Sequence, residues 1–130
     1  MRSSLVPFLA IVMIVNCNKG VESPLTQFVV RVDSIARTSF AASNDTIAVR
    51  FFGTIGSDGC HSFSHFETTT QLLQLDVTVW GQRKEASACP AVMVYLEGRE
   101  YKFVPGQMGW FRINVHQPDG SVIRDSIIVK

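Results

Sequence analysis

The stretch LLQLDVTVW, at residues 72–80, indicates the fold class of this 130-residue chain. Its apolar and polar residues alternate with a period of two. One parity holds Leu73, Leu75, Val77 and Val79, and the other holds Gln74, Asp76 and Thr78. Because successive side chains of a β-strand point to opposite faces of the sheet, this alternation predicts a half-buried strand from Leu72 to Trp80. No segment of ten or more residues shows the period of an amphipathic helix.

The same alternation recurs on both sides of this stretch. The apolar sets of one parity are Phe28, Val30 and Val32; Ile47, Val49 and Phe51; Val92, Val94 and Leu96; and Phe111, Ile113 and Val115. Turn residues such as Asn44-Asp45 and Pro118-Asp119-Gly120 separate them. A hydrophobic content of 46% is enough for one packed core. The sequence therefore predicts an all-β fold, a small antiparallel β-sandwich of about seven strands over residues 25–130.

The last predicted strand, Val122 to Val129, contains one conflict. Asp125 shares the parity of Ile123 and Ile127, so a regular strand would turn its carboxylate toward the core. A β-bulge, or a position at the edge of a sheet, would resolve the conflict.

The N-terminus combines Arg2 with an apolar run from Leu5 to Val15. This pattern is typical of a secretory signal peptide, whereas a membrane-spanning helix needs about 20 apolar residues. The run ends in Ile14-Val15-Asn16-Cys17, which resembles the lipobox of bacterial lipoproteins. The resemblance implies that Cys17 is lipidated and becomes the first mature residue, although Asn16 departs from the usual glycine, alanine or serine. A plain secretory signal and an uncleaved anchor are the alternatives.

The lipoprotein resemblance also implies a domain organisation and a location. Residues 1–16 would be a signal peptide, residues 17–24 a lipid-anchored tether, and residues 25–130 the β-sandwich domain. The protein would be exported and held by its lipid at the inner or outer membrane of the bacterial cell envelope, with the domain outside the cytoplasm.

The chain has three cysteines, so pairing two of them in a disulfide would leave one cysteine without a partner. If Cys17 carries lipid, Cys60 and Cys89 can form a disulfide in the oxidising compartment. Closing a loop of about thirty residues would stabilise the fold by roughly 3 kcal/mol. Two separate buried thiols are the alternative.

The run from Tyr101 through Pro105-Gly106 to Val115 resembles the late hairpin of bacterial immunoglobulin-like domains. True immunoglobulin domains join their two sheets with widely spaced cysteines. The spacing of Cys60 and Cys89 is short for such a bridge, so we expect them to tie adjacent or next-neighbour strands.

Charge and motifs limit the classes of function. The chain has 12 Lys+Arg and 11 Asp+Glu, for a formal net charge of +1. A neutral chain offers no polybasic surface for nucleic acid. It contains no Gly-x-Ser-x-Gly elbow, phosphate-binding loop or His-Glu-x-x-His motif. We therefore expect no cofactor and no catalysis, but a binding or structural module of the envelope; a small hydrolase is the least favoured alternative.

The segment from Gly59 to Glu67 is the densest cluster of functional groups. If it is extended, His61, Phe63, His65 and Glu67 project to one face. Imidazole and carboxylate groups bind Zn or Cu, but two histidines four strand residues apart are separated by about 13 Å. A bulge next to Cys60 would shorten that distance.

An envelope metal-binding protein is therefore the alternative function. Its ligands would come from His61, His65 or His116, and Met93 and Met108 would be candidate ligands for Cu(I). In the simpler interpretation the histidines are surface residues beside a disulfide and the methionines are packing residues.

Three large aromatic residues, Trp80, Tyr95 and Trp110, share the parity of polar neighbours on their strands. Such residues dominate the energetics of interfaces. The sequence thus predicts a solvent-facing patch for an envelope protein or a glycan. Alternatively, the two tryptophans lie at strand ends and fold over the rim of the core.

Overall fold

The computed structural model describes residues 24–130. The predicted signal peptide, Cys17 and tether residues 18–23 lie outside the described residues. The described chain forms eleven β-strands and no helix. The strands are β1 (Leu25–Val29), β2 (Ser34–Ala36), β3 (Phe40–Ala41), β4 (Ile47–Phe52), β5 (Thr54–Gly56), β6 (His61–Gln71), β7 (Gln74–Lys84), β8 (Val94–Tyr95), β9 (Arg99–Phe103), β10 (Gly109–His116) and β11 (Val122–Val129).

The strands form one large sheet and two small ones. Sheet 1 has the order β1-β7-β10-β11-β3, with β6 on the other edge of β7. Sheet 2 has the order β2-β4-β9, and sheet 3 pairs β5 with β8. Backbone hydrogen bonds from Leu96 N to Gly53 O and from Gly98 N to Phe51 O join sheets 2 and 3 end to end. The predicted all-β sandwich is confirmed. The number of strands exceeds seven because strands that continue one another, such as β4 and β5, are counted separately.

Two strand pairs are parallel, which the prediction of a purely antiparallel sandwich did not include. β10 runs parallel to β7, and β3 runs parallel to β11. The predicted hairpin around Pro105-Gly106 is also absent, because β9 pairs with β4 in sheet 2 while β10 lies in sheet 1. The rings of Phe103 and Phe111 stack with centroids 5.1 Å apart. The two strands therefore face each other across the core.

The core forms where the apolar faces of the sheets meet. Its fully buried side chains include Val49, Phe51, Leu75, Val77, Val79, Phe111, Ile113, Val115 and Ile127. Burying each side chain of this size contributes about 1.5–3 kcal/mol. The predicted inward parities are confirmed for these residues. Leu73 lies in the β6–β7 turn with φ of 56° and packs, partly buried, against this core. One predicted core residue differs, since Val92 is 59% exposed outside β8.

The side chain of Gln117, which directly follows β10, holds the connection between β1 and β2. β1 and β10 share one edge of β7, β10 along its first half and β1 along its second. Beyond β1, the buried Gln117 side chain accepts from Val32 N at 2.9 Å and donates to Val32 O at 2.7 Å. Its amide thereby replaces a strand partner, because unpaired buried backbone groups are costly.

Asp125 on β11 occupies the edge position that its parity required. The register between β10 and β11 continues past it without a bulge, and β3 pairs with β11 only at Ile128 and Val129. Arg37 donates to both Asp125 oxygens, at 2.9 and 2.7 Å. The hydrogen bond from Arg37 lowers the pKa of Asp125. A bidentate ion pair at the open edge thus compensates the inward-facing charge.

Cys60 and Cys89 form the predicted disulfide, with their Cα atoms 5.4 Å apart. Cys60 directly precedes β6, and Cys89 lies in the loop between β7 and β8. The bond therefore ties a loop to the start of a strand, and not two strands as expected. Hydrogen bonds from Lys84 N to Cys60 O and from Gly59 N to Pro90 O strengthen the same junction.

Candidate functional site

The outer face of sheet 1 carries the main concentration of polar and aromatic side chains that project away from the core. Paired residues on neighbouring strands point to the same side, so the register defines rows across this face. From one end to the other, the rows are Trp110, Ile128 and Phe40; Gln74, Arg112 and Ser126; Asp76, Asn114 and Arg124; Glu67, Thr78 and His116; and His65 and Trp80.

The first three rows form what we call the open end of the face. A shallow groove of about 560 Å³ lies there. Its lining residues are Gln74, Arg112, Asn114, Arg124, Asp125 and Ser126. The groove is built on β7, β10 and β11, three adjacent strands whose backbones are hydrogen-bonded to one another, so its floor is rigid.

Arg112 and Arg124 in this groove have no carboxylate partner. Of the seven arginines in residues 24–130, four form ion pairs and Arg99 lies over the Phe63 ring at 4.2 Å. Only Arg112 and Arg124 in this part of the chain have neither kind of partner. Asp125 does not neutralise them, because its carboxylate is turned to Arg37. The groove therefore presents two available guanidinium groups.

Asp76 organises the polar groups beside the arginines. Gln74 Nε2 donates to Asp76 Oδ2 at 2.8 Å, and Asn114 Nδ2 donates to Oδ1 at 3.2 Å. His116 Nε2 lies 3.0 Å from the same Oδ1. The hydrogen bonds from Gln74 and His116 lower the pKa of Asp76. Because both amide nitrogens are held by Asp76, the amide oxygens of Gln74 and Asn114 are available as acceptors.

Two exposed aromatic residues border the groove. Trp110 is 62% exposed and Phe40 is 70% exposed, and Ile128 lies between them in the same row. Large apolar side chains exposed together beside polar groups are typical of interaction surfaces. The open end thus combines an aromatic border with cationic and amide groups.

At the opposite end of the face, Trp80 is enclosed by its neighbours. Its ring stacks on His65 with an interplanar angle of 6° and centroids 6.1 Å apart. Its Nε1 donates to Glu67 Oε2 at 3.0 Å. We call this set of three residues the closed end. Its polar groups already satisfy one another, which leaves little for a ligand.

The three aromatic residues of the predicted patch do not come together. Trp110 lies two positions before Arg112, which is level with Gln74, so eight strand positions separate it from Trp80, about 27 Å. Tyr95 is 49% exposed, but it belongs to β8 in sheet 3. The prediction that these three residues form one contiguous patch is therefore wrong. Parity shows to which face of a strand a side chain points, but it does not show which strands are neighbours.

The histidines of the alternative metal site are also dispersed. The register of β6 shifts between Phe63 and His65, so Ser64 is an extra residue in a bulge. The bulge turns His65 outward, whereas His61 packs edge-on against Phe28. The predicted common face of His61, Phe63, His65 and Glu67 is therefore wrong. The bulge lies at Ser64, not next to Cys60, and it reverses the parity of everything that follows.

Each histidine has its own partner. His61 Nδ1 lies 2.9 Å from Asp58 Oδ1, and His65 Nδ1 lies 2.8 Å from Ser64 Oγ. Within residues 24–130, the only group of three potential metal-ligating atoms is Asp58, Cys60 and Cys89, and both sulfurs belong to the disulfide. Met93 and Met108 are 47% and 69% exposed. No histidine of the described chain belongs to a three-ligand cluster.

No family model, curated protein or solved structure matches the chain. Among the described residues, none forms a helix with the length and hydrophobicity that crossing a membrane requires. The fold and the site define an all-β sandwich with an arginine-lined, aromatic-bordered groove on one sheet face. Sequence reasoning missed Phe40, Arg112 and Arg124 as members of this site. The polar parity of Arg112 was the one available signal.

Proposed function

We propose that this protein is a lipid-anchored cell-envelope protein that acts as a non-catalytic binding module, and that its ligand binds at the open end of sheet 1. The observation that carries the proposal is that Arg112 and Arg124, which lack acidic partners, lie one and two rows from the exposed Trp110 on the same sheet face. Arginine and tryptophan are the residues that most often dominate binding energy.

The position of the N-terminus supports this assignment. Leu25 pairs with Lys84, at the end of β7 opposite to Gln74. Ten strand positions separate Lys84 from Gln74, about 33 Å. An anchor at Cys17 would therefore connect to the domain at the closed end, and the groove would face away from the bilayer. That orientation suits a module that captures a ligand outside the membrane.

Fractionation tests the anchor separately from the binding site. We expect the wild-type protein to remain in the membrane fraction, with a lipid mass on the N-terminal Cys17 peptide. The Cys17→Ala variant should leave that fraction. If Cys17→Ala fractionates with the membrane as wild type does, or if the mature peptide carries no lipid, the anchoring proposal fails.

Binding is tested with the full-length protein purified in detergent and immobilised. Envelope extracts from the native cells, divided into polysaccharide and protein fractions, are passed over it. We expect Trp110→Ala and the double variant Arg112→Gln/Arg124→Gln to lose about 10-fold or more of the retained ligand. Tyr95→Ala, an exposed aromatic on sheet 3, is the matched control and should retain it. If the wild type and all three variants retain the same amount of ligand, the open end is not the binding site.

A further inference from the structure

The chemistry of the groove identifies a class of ligand. We propose that the open end binds an acidic saccharide, a sugar that carries a carboxylate or phosphate group. This inference rests on the proposed binding function and adds the nature of the ligand to it. It follows from three features of the groove: its charge, its hydrogen-bonding groups and its aromatic border.

The charge requires an anionic group on the ligand. Arg112 pairs with Ser126 and Arg124 pairs with Asn114, so the two arginines are diagonal neighbours whose backbones are about 7–8 Å apart. Side chains as long as arginine can reach one anion from that separation. Guanidinium groups bind carboxylate and phosphate oxygens through paired, charge-assisted hydrogen bonds. The nearest acidic groups do not compete, since Asp125 is bonded to Arg37 and Asp76 to Gln74, Asn114 and His116.

The neutral groups of the groove favour a ligand that also carries hydroxyl groups. The amide oxygens of Gln74 and Asn114 accept hydrogen bonds, and the Ser126 hydroxyl both donates and accepts. An isolated inorganic anion would use the arginines and leave these groups to water. A sugar ring offers several hydroxyls around one acidic substituent and satisfies both sets at once.

The border and size of the groove fit a sugar ring. The exposed Trp110 ring provides an apolar plane beside the arginines, against which the C–H face of a sugar can pack. The volume of about 560 Å³ lies within the range of small-molecule sites, about 300–1,000 Å³. Because the groove is open, a longer chain can extend beyond it.

An acidic peptide fits this groove less well. Peptides commonly bind by adding a strand at a sheet edge, whereas Trp110 and Arg112 project from the face of β10, which is paired on both sides with β7 and β11. The open edge belongs to β11, and there Arg37 is already bonded to Asp125. Peptide anchors also favour apolar pockets, whereas this groove is lined by arginine, amide and hydroxyl side chains.

The test measures binding by the full-length protein in detergent, using isothermal titration calorimetry. The probes are trigalacturonate as a carboxylated sugar, glucose 6-phosphate as a phosphorylated sugar, maltotriose as a neutral sugar, triglutamate as an acidic peptide and inorganic phosphate. We expect one or both acidic sugars to bind at least about 10-fold more tightly than the other three probes. Which of the two binds identifies the anionic group.

Variants locate the binding to the groove. Arg112→Gln and Arg124→Gln should each weaken binding of the acidic sugar by about 10-fold or more, and Trp110→Ala by about 5-fold or more. Arg50→Gln is the charge-matched control, because Arg50 lies on sheet 2 and pairs with Glu100 at 2.8 Å. It should bind as wild type does. All variants should keep the wild-type melting temperature, which shows that lost binding is not lost folding.

Several results would overturn the inference. Triglutamate or phosphate binding as tightly as the acidic sugars would assign the groove to acidic peptides or to free anions. Maltotriose binding equally well would remove the role of charge. If no probe binds while the open-end variants still lose the ligand from envelope extracts, the binding function stands and the saccharide assignment fails. If the extracts also show no difference, both fail.

Discussion

Trp80 and Trp110 lie on the same face of the same sheet, yet their surroundings are opposite. Trp80 is stacked on His65 and bonded to Glu67. Trp110 is 62% exposed, and Arg112 and Arg124, which lack acidic partners, lie in the next two rows. The difference arises from their neighbours: β6 places an imidazole and a carboxylate next to Trp80, whereas the row of Trp110 contains Ile128 and Phe40. One tryptophan stabilises the fold, and the other is available to a ligand.

The largest effect on the free energy of unfolding is expected from replacing Phe111. This residue adjoins Trp110 on β10 but points inward and is 1% exposed. Phe111→Ala would leave a cavity against Phe103 and should lower the free energy of unfolding by about 3–5 kcal/mol. Urea denaturation of the full-length protein measures this value. A loss as small as that of Trp110→Ala would mean that the two faces of β10 are not the inner and outer faces described.

The disulfide should have the next largest effect, and it acts near the closed end. Replacing Cys60 and Cys89 together with serine removes the link between the start of β6 and the loop after β7. We expect a loss of about 2–4 kcal/mol in the free energy of unfolding, since the unfolded chain gains freedom. Binding at the open end should persist in the folded variant. Loss of binding without loss of stability would link the two ends in a way that the structure does not show.

Trp80→Ala should lower the free energy of unfolding by about 1–2 kcal/mol, because it removes half-buried aromatic area and leaves Glu67 without its indole donor. Trp80→Phe, which keeps the ring but not the Nε1–H, should recover part of the loss. Thermal denaturation of both variants checks the order. Ligand capture by Trp80→Ala equal to that of Trp110→Ala would show that the closed end binds too.

Asp76 lies in the third row of the open end, and its pKa is lowered in the folded protein by hydrogen bonds from Gln74 and His116. A carboxyl with a lowered folded-state pKa contributes stability above its unfolded-state pKa and loses it as the pH falls through the folded value. We therefore expect wild type to lose stability through this group as the pH falls below about 4. Asp76→Asn should remove that part of the pH dependence. Unfolding curves with the same acid slope for both proteins would contradict it.

The smallest effect on stability is expected for Trp110→Ala, within about 0.5 kcal/mol of wild type, because the side chain is largely solvated. The same variant should lose binding. A stability loss similar to that of Trp80→Ala would show that Trp110 is a structural residue of the rim, which is the alternative that its position near a strand end suggested.

The inward faces were predictable because they depend on the strand itself. Alternation alone placed Leu75, Val77 and Val79 in the core, and it identified Asp125 as a residue that needs an edge position. The extra residue at Ser64 was not predictable, since no glycine or proline marks it. The bulge moved His65 to the outer face beside Trp80, and this removed the expected alignment with His61.

Contacts between distant strands were the other part that sequence did not reveal. Phe40 belongs to a strand of two residues, too short for any period to appear, and it reaches the open end only through parallel pairing with Ile128. Arg112 and Arg124 become neighbours through the pairing of β10 with β11. The polar parity of each residue is local information, whereas the groove depends on which strands adjoin.

The two indole N–H groups offer the most direct test of the difference between the ends. In an isotope-labelled full-length protein, their two resonances are followed by NMR during titration with the acidic sugar that binds. We predict that the indole N–H resonance of Trp110 shifts as the ligand is added. The resonance of Trp80, whose N–H donates a hydrogen bond to Glu67, should keep its position. Assignment comes from Trp80→Phe and Trp110→Phe. A shift of Trp80 alone, or an unmoved Trp110 at saturation, would contradict the account.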